Sequence, residues 1–426
     1  MPHYDWVWGS APPLLKRHSE VKHALLRNYL IKYFLTLFSR LHREQIRMTV
    51  VDGFCGGGLY LNEYGREMPG SPLVILEAIE EAKYLVMTRQ DRRKPIDIDV
   101  ELICIDECPS ALEFLRNLLI QRNHGQALAS ERIRLVHGQF ADHSDAVIKR
   151  CEARSIRSGR ALFVLDQYGY SAVPMHCLHD IFSRLAKAEV ILTFYVDALI
   201  KFLDEKNLQQ FQSATGIRTG MSAEEIDDLK KSPWWRVALQ ATLYEDVTRA
   251  SAAKFHTPFF IRPEQGFGDF WLLHLSQHWK ARDVMASTHW EHHNHFAHYG
   301  GAGFNMFSTG YIGKLDDTGK LQTGFDFSDV AAMVSEDIML EQIPRLLSQV
   351  PDGISFEQFF MRLINTTPAT RDMVETALLK LSAHQQVQVL GDDGVPSSAR
   401  VHLKPEHVLR RPPQGSFSFS FKADGS

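Results

Sequence analysis

The sequence contains no apolar run that could cross a membrane. None of its 426 residues lies in an apolar stretch of the roughly 18–20 residues that a membrane-spanning helix needs. Residues 1–10 carry Asp5 and three aromatic side chains, without the basic and apolar segments of a secretory signal. We therefore expect a cytoplasmic protein that makes no membrane contact.

Cysteine and net charge are also scarce. The five cysteines are odd in number and scattered, which favours a reduced compartment over a disulfide framework. Cys104 and Cys108 have no second ligand pair at zinc spacing, so no metal site is predicted. The formal net charge is −4, so the chain as a whole is not a basic nucleic-acid binder. Any contact with nucleic acid must come from a local patch.

The sequence does contain a regular alternation of short apolar strands with amphipathic helices. Strands are predicted at residues 48–51, 100–105, 132–136, 161–165 and 190–194. Helices are predicted at residues 18–41, 73–86, 110–119 and 174–185. This alternation predicts a parallel sheet with helices on both faces, and strands 258–262 and 269–275 follow as a hairpin. A parallel series closed by a hairpin is the layout of class I methyltransferases, whereas dehydrogenases usually continue with another parallel strand.

A glycine-rich turn follows the first predicted strand. Residues 52–58 read DGFCGGG, and consecutive glycines let a ligand approach the backbone closely. Asp106 closes the second strand, where its carboxylate can accept hydrogen bonds from the ribose hydroxyls of an adenosine cofactor. The alternatives are a simple glycine turn and an aspartate that caps the next helix. The predicted cofactor-binding residues are Asp52, Phe54, Gly56, Gly57, Gly58, Asp106, Gln139 and Phe140.

The fourth predicted strand ends in residues 166–170, which read DQYGY. Ligands bind beyond the carboxyl ends of the strands in open parallel sheets. Asp166 can accept a hydrogen bond from a substrate amine or hydroxyl, and Tyr168 or Tyr170 can stack on a flat substrate such as a base. Alternatively, Asp166 caps the following loop and Tyr168 packs in the core. We predict that Asp166 and Tyr168 are catalytic and that Tyr170 binds substrate.

The last hundred residues have a different pattern. A helix, a turn, a second helix over residues 370–381 and strands at 387–390 and 399–403 predict a winged helix. Arg371 and Lys380 are the only basic residues of the second helix, which argues against strong duplex binding and leaves protein contacts as the alternative. The run of histidines at 289–298 is predicted to form a solvated or substrate-facing rim rather than a metal site.

The predicted fold class is α/β, a class I methyltransferase-like (Rossmann-like) sheet with a helical insert and a C-terminal winged-helix-like domain. The predicted domains are an N-terminal helical segment (1–47), a methyltransferase-like domain (48–310) with its insert (197–251), a linker and helix (311–350), a winged-helix-like domain (351–410) and a flexible tail (411–426).

Two motifs resemble those of S-adenosylmethionine-dependent amino-methyltransferases. Residues 52–58 resemble their DPFCGSG motif, and residues 166–169 resemble a variant of their Asp-Pro-Pro-Tyr motif. Gln167 replaces the first proline, and Gly169 replaces the terminal aromatic residue. Gln139 stands where many methyltransferases carry an acidic residue for the adenine amine. The resemblance implies S-adenosylmethionine as cofactor and an altered acceptor geometry.

The closer resemblance is to the three-Cys-motif partner protein family (TcmP), over about residues 6–294. The residues that carry it are His18, Lys22, His23, Tyr29 and Leu30, residues 52–58, 70–73 and 270–278, and Asp166, Tyr168 and Gly169. The resemblance implies a methyltransferase-like protein that works with a three-Cys-motif, radical-SAM-like partner in a mobile-element or phage-related setting. Lys22 and His18 are included among the predicted substrate-binding residues.

These observations favour a methyltransferase acting on nucleic acid or a modified base. The alternative is a catalytically inactive, methyltransferase-like binding subunit of a partner complex, which the altered residues around Asp166 favour. A nicotinamide oxidoreductase is disfavoured by the hairpin that follows the parallel strands.

Overall fold

The computed structural model describes residues 4–89, 92, 94–154, 160–195, 205–218, 220–231, 235–261, 270–291, 304, 329–391, 395 and 402–412. The chain forms two compact units. The first comprises Met1–Gly301 and Met306–Ala331, and the second comprises Ala302–Asn305 and Ala332–Ser426. No helix in the described part of the chain combines the length and apolar character needed to span a bilayer.

A seven-stranded sheet forms the centre of the first unit, in the order β5-β4-β1-β6-β7-β9-β8. The strands are β1 (Gln45–Asp52), β4 (Asp97–Asp106), β5 (Ile133–His137), β6 (Arg160–Leu165), β7 (Lys187–Phe194), β8 (Phe255–Ile261) and β9 (Phe270–Ser276). All pairs from β5 across to β7 are parallel, while β9 runs antiparallel to β7 and β8. The predicted fold class is therefore confirmed, with a parallel series closed by an antiparallel hairpin.

Helices cover both faces of this sheet. They are α1 (Arg17–Leu37), α2 (Ser71–Arg89), α3 (Pro109–Gln121), α4 (Gly125–Ala129), α5 (Phe140–Arg154), α6 (Met175–Arg184), α7 (Glu205–Thr215), α8 (Ala223–Leu229), α9 (Trp235–Ser251) and α10 (Trp279–Glu291). Val50 and Val51 of β1 belong to two different apolar cores, because successive side chains of a strand point to opposite faces. A short hairpin, β2 (Leu59–Leu61) and β3 (Glu67–Pro69), stands between the glycine turn and α2.

The second unit has the element order of a winged helix. Its elements are α11 (Asp329–Leu347, within the unit from Ala332), β10 (Ile354–Ser355), α12 (Phe356–Leu363), α13 (Arg371–Ala383), β11 (Gln388–Leu390) and β12 (Val408–Arg410). The strands form a three-stranded sheet in the order β10-β12-β11. The hydroxyls of Ser355 and Thr370 cap α12 and α13.

The winged helix contains a strand that was not predicted. β11 pairs with β12 at residues 408–410, and residues 402–403, the described part of the predicted strand 399–403, lie outside the strands of the sheet. The backbone N–H of Leu403 instead donates to the buried carboxylate of Glu375, which removes it from strand pairing. Residues 399–401, like the predicted turn at 392–394, lie outside the described residues.

Candidate active site

Three aspartates lie at the same edge of the sheet. Asp52 is the last residue of β1 and Asp106 the last of β4, while Asp166 directly follows β6. These strands are neighbours and parallel, so their carboxyl ends meet. The carboxylates are close enough for Asp166 and Asp106 to raise the pKa of Asp52. The structure thus brings together three of the residues that the sequence singled out.

Asp106 fixes the glycine turn. Its carboxylate accepts the backbone N–H of Gly56 at 2.8 Å and the backbone N–H of Cys108 at 2.9 Å. Cys108 is the N-cap residue of α3 and α3 has no side-chain cap, so Asp106 closes the turn before the helix and does not cap it. Burial raises the pKa of Asp106 and the two backbone hydrogen bonds lower it, with a net rise. A carboxylate has about four lone-pair positions, so a ligand hydroxyl can still bind it.

The consecutive glycines make room for other parts of the protein. A Cβ on Gly57 would lie 2.2 Å from the indole of Trp6, and one on Gly56 would lie 2.9 Å from the same ring. A Cβ on Gly58 would meet Leu115 of α3 at 2.6 Å. Gly56 and Gly58 also adopt positive φ angles of +56° and +76°, which disfavour other residues. The glycines therefore have a packing role that sequence reasoning missed, and cofactor binding by them stays a prediction.

An aromatic cluster covers this turn. Tyr4, Trp6 and Tyr60 lie with their ring centroids 5.6–5.7 Å apart, and the Trp6 indole N–H donates to the carbonyl of Leu59 at 3.1 Å. Burial raises the pKa of Tyr60, and Tyr4 and the charges of the three aspartates raise it further. The only signal in the sequence was the group of aromatic residues before position 10.

Asp52 is completely buried, and its Oδ2 has no hydrogen-bond partner among the described residues. Its Oδ1 accepts the N–H of Phe54 at 3.4 Å. Burial is the main cause that raises its pKa to about 7; the Ser71 hydroxyl and the Phe54 N–H lower it, and the other two aspartates raise it. A buried carboxylate oxygen without a partner is suited to a cationic ligand.

Lys22 of α1 forms a salt bridge with the carboxylate of Asp166. Its Nζ lies 2.5 Å from both oxygens, and the Asp166 side chain is 32% exposed. Burial raises the pKa of Asp166, but the charge and hydrogen bonds of Lys22 outweigh it, so the net pKa is lowered. The neighbouring His23 is neutral near pH 7, because burial lowers its pKa to about 4. Asp166 is therefore a fixed anion with a cation already bound.

The residues after Asp166 point in different directions. Tyr168 is 59% exposed, as a residue that stacks on a substrate requires. Gln167 is buried and accepts the N–H of Val173 at 3.0 Å, which shapes the loop. The Tyr170 ring packs against Phe194 and Phe211, with centroids 6.3 and 5.8 Å apart, in the apolar core. Tyr170 is half-buried there, so its role in substrate binding stays a prediction.

Other predicted site residues are divided between surface and core. Gln139 is exposed beyond β5, and Phe54 is half-buried. Phe140 is fully buried, edge-on to Phe163, so its side chain belongs to the core rather than to a cofactor pocket. His18 lies in α1, but its side chain is outside the described part of the structure.

The predicted histidine rim is only partly described. His289 is completely buried in α10, which excludes the solvated alternative for this residue and leaves the substrate-facing one untested, while residues 292–298 lie outside the described residues. Among the described residues, no group of three His, Cys, Asp or Glu side chains is arranged to hold a metal ion.

Comparison with known proteins gives one domain match. The family model of the GMT-like wHTH domain, a winged helix-turn-helix, matches residues 310–394. This range includes the elements from α11 to β11, in agreement with the element order described above. No curated protein matches the chain.

Solved structures resemble the chain at low identity. The plantazolicin methyltransferase BamL, crystallised with a triazolic desmethylPZN analogue and SAH, is 10% identical over 62% of this chain and 87% of its own, with a TM-score of 0.28. Spermidine synthase in complex with the transition-state analogue AdoDATO is 10% identical over 62% of this chain and 60% of its own, with a TM-score of 0.30. An rRNA methylase from Streptococcus thermophilus is 10% identical over 62% of this chain and 99% of its own, with a TM-score of 0.27. The strand order of the sheet, and not these scores, identifies the fold.

Proposed function

We propose that the protein is an S-adenosylmethionine-dependent methyltransferase whose cofactor binds at the carboxylate-lined edge of the sheet. The observation that carries the proposal is the buried Oδ2 of Asp52, which lacks a partner among the described residues and lies beside Asp106 and Asp166. When bound, S-adenosylmethionine supplies a methyl group on a positively charged sulfur. Carboxylates and aromatic faces both attract such a cation.

The same features disfavour a nicotinamide dinucleotide. Dinucleotide-binding turns use glycine to bring the backbone against a pyrophosphate. Here the Trp6 indole lies against Gly56 and Gly57, and the carboxylate of Asp106 takes the N–H of Gly56. These contacts at the glycine turn therefore support the methyltransferase over the oxidoreductase.

The residues of the chain have distinct proposed roles. Asp52 and Asp106 hold the positive groups and ribose hydroxyls of the cofactor, and Phe54 and Gln139 contact it at the same edge of the sheet. Asp166 and Tyr168 face the acceptor, Asp166 through its fixed charge and Tyr168 by stacking. Rate enhancement then comes mainly from proximity and alignment of the acceptor with the methyl group.

The acceptor and the partner belong to the proposal as well. We propose a nucleic acid or a modified base as acceptor, since the exposed ring of Tyr168 is suited to stacking. A three-Cys-motif protein in a mobile-element or phage-related setting is the partner that the sequence resemblance suggests. A binding subunit without activity is the second candidate, and one observation favours it: Lys22 already occupies both oxygens of Asp166.

Transfer of a labelled methyl group separates these candidates. The full chain is incubated with methyl-labelled S-adenosylmethionine and RNA or DNA, alone and with the three-Cys-motif protein. An active enzyme labels the nucleic acid, an Asp166→Asn variant loses at least tenfold in rate, and a Glu107→Gln control at the same edge keeps its rate. Binding of the cofactor without any transfer in both mixtures would instead establish the inactive subunit.

A further inference from the structure

The opposite edge of the sheet carries a group of cations. Arg160 and Lys187 are the first residues of β6 and β7 and are direct partners in the parallel register. Arg40 and Arg43 lie in the segment that joins α1 to β1. These four residues, termed the amino-edge cluster, surround the point where the parallel strands begin.

The arginines of this cluster are held in place. The Arg160 guanidinium donates to the hydroxyl of Tyr33 at 2.9 Å, and Arg43 donates to the carbonyl of Leu37 at 3.0 Å. Arg92 donates to the carbonyls of Phe38, Arg40, Leu41 and Arg43 and so fixes the course of the segment between α1 and β1. Hydrogen bonds therefore hold the side chains of Arg160 and Arg43 in position.

The cluster has no carboxylate within salt-bridge distance in the described part of the chain. Other cations of the same region differ: Arg47 and Arg154 bind Asp99, and Lys94 binds Glu44 at 2.7 Å. The carboxylate of Glu189, which raises the pKa of Arg160, is buried and hydrogen-bonded to Tyr29. Pairing of surface charges is therefore the local pattern, and the amino-edge cluster departs from it.

The four cations also repel one another. Burial lowers the pKa of Arg43, and the charges of Arg160 and Arg40 lower it further. Burial lowers the pKa of Lys187, with Arg160 and Arg43 as further causes. Burial alone would lower the pKa of Arg160, but Tyr33 and Glu189 outweigh it and the net pKa is raised. Repulsion among these cations is an excess of positive charge that an anion would stabilise.

We propose that the amino-edge cluster binds the phosphates of a nucleic-acid backbone. Guanidinium groups donate in a planar fork that matches phosphate oxygens, and the exposed Lys187 and Arg40 extend the positive surface beyond the two fixed arginines. Because the net charge of the whole chain is negative, a polyanion is attracted only to local positive surfaces such as this cluster. The proposal relies on the proposed function only for the choice of nucleic acid as the polyanion.

Binding of a fluorescein-labelled single-stranded RNA of 20 nucleotides, measured by anisotropy without cofactor, tests the proposal. The test variant is Arg43→Gln with Lys187→Gln. The matched control is Arg47→Gln with Lys94→Gln, which removes the same charge from cations that already have carboxylate partners. We expect the test variant to bind at least tenfold more weakly. The slope of log affinity against log salt should fall by about 1.4, since each lost phosphate contact contributes about 0.7 for a single strand.

Each other result overturns the proposal. The cluster would not be a phosphate-binding surface if the unaltered chain bound no RNA, or if the test and control variants lost RNA affinity equally. Displacement of the RNA by polyglutamate as readily as by unlabelled RNA would assign the surface to an acidic protein. Because no cofactor is present, failure here is distinguishable from failure of methyl transfer. Thermal unfolding of both variants verifies that they are folded.

Discussion

The three aspartates and the amino-edge cluster lie at opposite edges of the central sheet and are built differently. At the carboxyl edge, Asp52 is completely buried and Asp106 accepts the N–H of Gly56 in the glycine turn. At the amino edge, Lys187 and Arg40 are exposed. Buried polar groups are costly and must be compensated within the fold, whereas exposed charges cost little. Substitutions at the carboxyl edge should therefore alter stability, and those at the amino edge should alter binding alone.

The largest effect is expected for Trp6→Ala. The indole is almost fully buried against Gly56 and Gly57, and its loss should lower the free energy of unfolding by about 3–5 kcal/mol. Urea unfolding measures the change. Trp8→Ala is the control, because Trp8 is 46% exposed, and it should cost about 1 kcal/mol or less. Equal losses in the two variants would show that Trp6 has no special role at the carboxyl edge.

Asp52→Asn should change how stability depends on pH. The pKa of Asp52 in the folded protein is about 7, against 3.8 for an ordinary aspartate, so between these pH values only the folded protein holds the proton. The free energy of unfolding of the unaltered chain therefore falls as the pH rises from 4 to 7. The variant lacks this loss, so at pH 8 its free energy of unfolding should exceed that of the unaltered chain by up to about 4 kcal/mol. Parallel pH profiles of the two proteins would contradict the assignment.

Gly57→Ala should lower stability by about 1–3 kcal/mol, since the added Cβ would lie 2.2 Å from the indole of Trp6. In a Trp6→Ala background the same substitution should cost much less, because the ring is gone. Gly125→Ala has open space around its Cβ and should be neutral or slightly stabilising. A Gly57→Ala cost that does not depend on Trp6 would refute the packing role of this glycine.

Lys22→Met separates Asp166 from its cation. The free energy of unfolding should fall by about 1–2 kcal/mol, because Asp166 is one-third exposed and water partly replaces the lysine. The pKa of Asp166 should then rise, since the lysine is what holds it low. Titration of the carboxyl carbon of Asp166 by NMR measures this shift, and an unchanged pKa would show that Lys22 does not control the carboxylate.

The smallest effect on stability is expected at the amino edge. Lys187→Ala should change the free energy of unfolding by no more than about 0.5 kcal/mol, because the side chain is exposed and lacks a carboxylate partner among the described residues. Thermal unfolding compares it with Trp6→Ala under the same conditions. A loss above 1 kcal/mol would mean that the amino-edge cluster supports the fold and that the two edges do not differ in the way described.

The sequence predicted the features that depend on local pattern. Apolar strands alternating with helices indicated the parallel sheet and its closing hairpin, and the acidic residues that end the strands were expected at one edge, where the structure places them. The strand at residues 408–410 was missed because only a few residues define so short an element. The burial of the Phe140 side chain was not foreseen because an aromatic residue near a site can equally well face the core.

The remaining features depend on contacts between distant residues. Trp6 and Leu59 are 53 positions apart, and Lys22 and Asp166 are 144 positions apart. Neither periodicity nor motif spacing contains information on such pairs, because tertiary packing alone brings them together. The amino-edge cluster arises in the same way, from Arg160 and Lys187 in two strands and Arg43 before a third.

The central claim, that a cationic adenosyl cofactor binds beside Asp52, is tested most directly by calorimetric titration of the full chain with S-adenosylmethionine at pH 8. We predict binding at one site, at least tenfold weaker for Asp52→Asn, which is about 1.4 kcal/mol, and unchanged for Glu107→Gln. The Asp52→Asn variant is expected to be more stable than the unaltered chain at this pH, so unfolding cannot account for the loss. Absence of binding to the unaltered chain at millimolar cofactor, or equal affinity of the Asp52→Asn variant, would contradict the account.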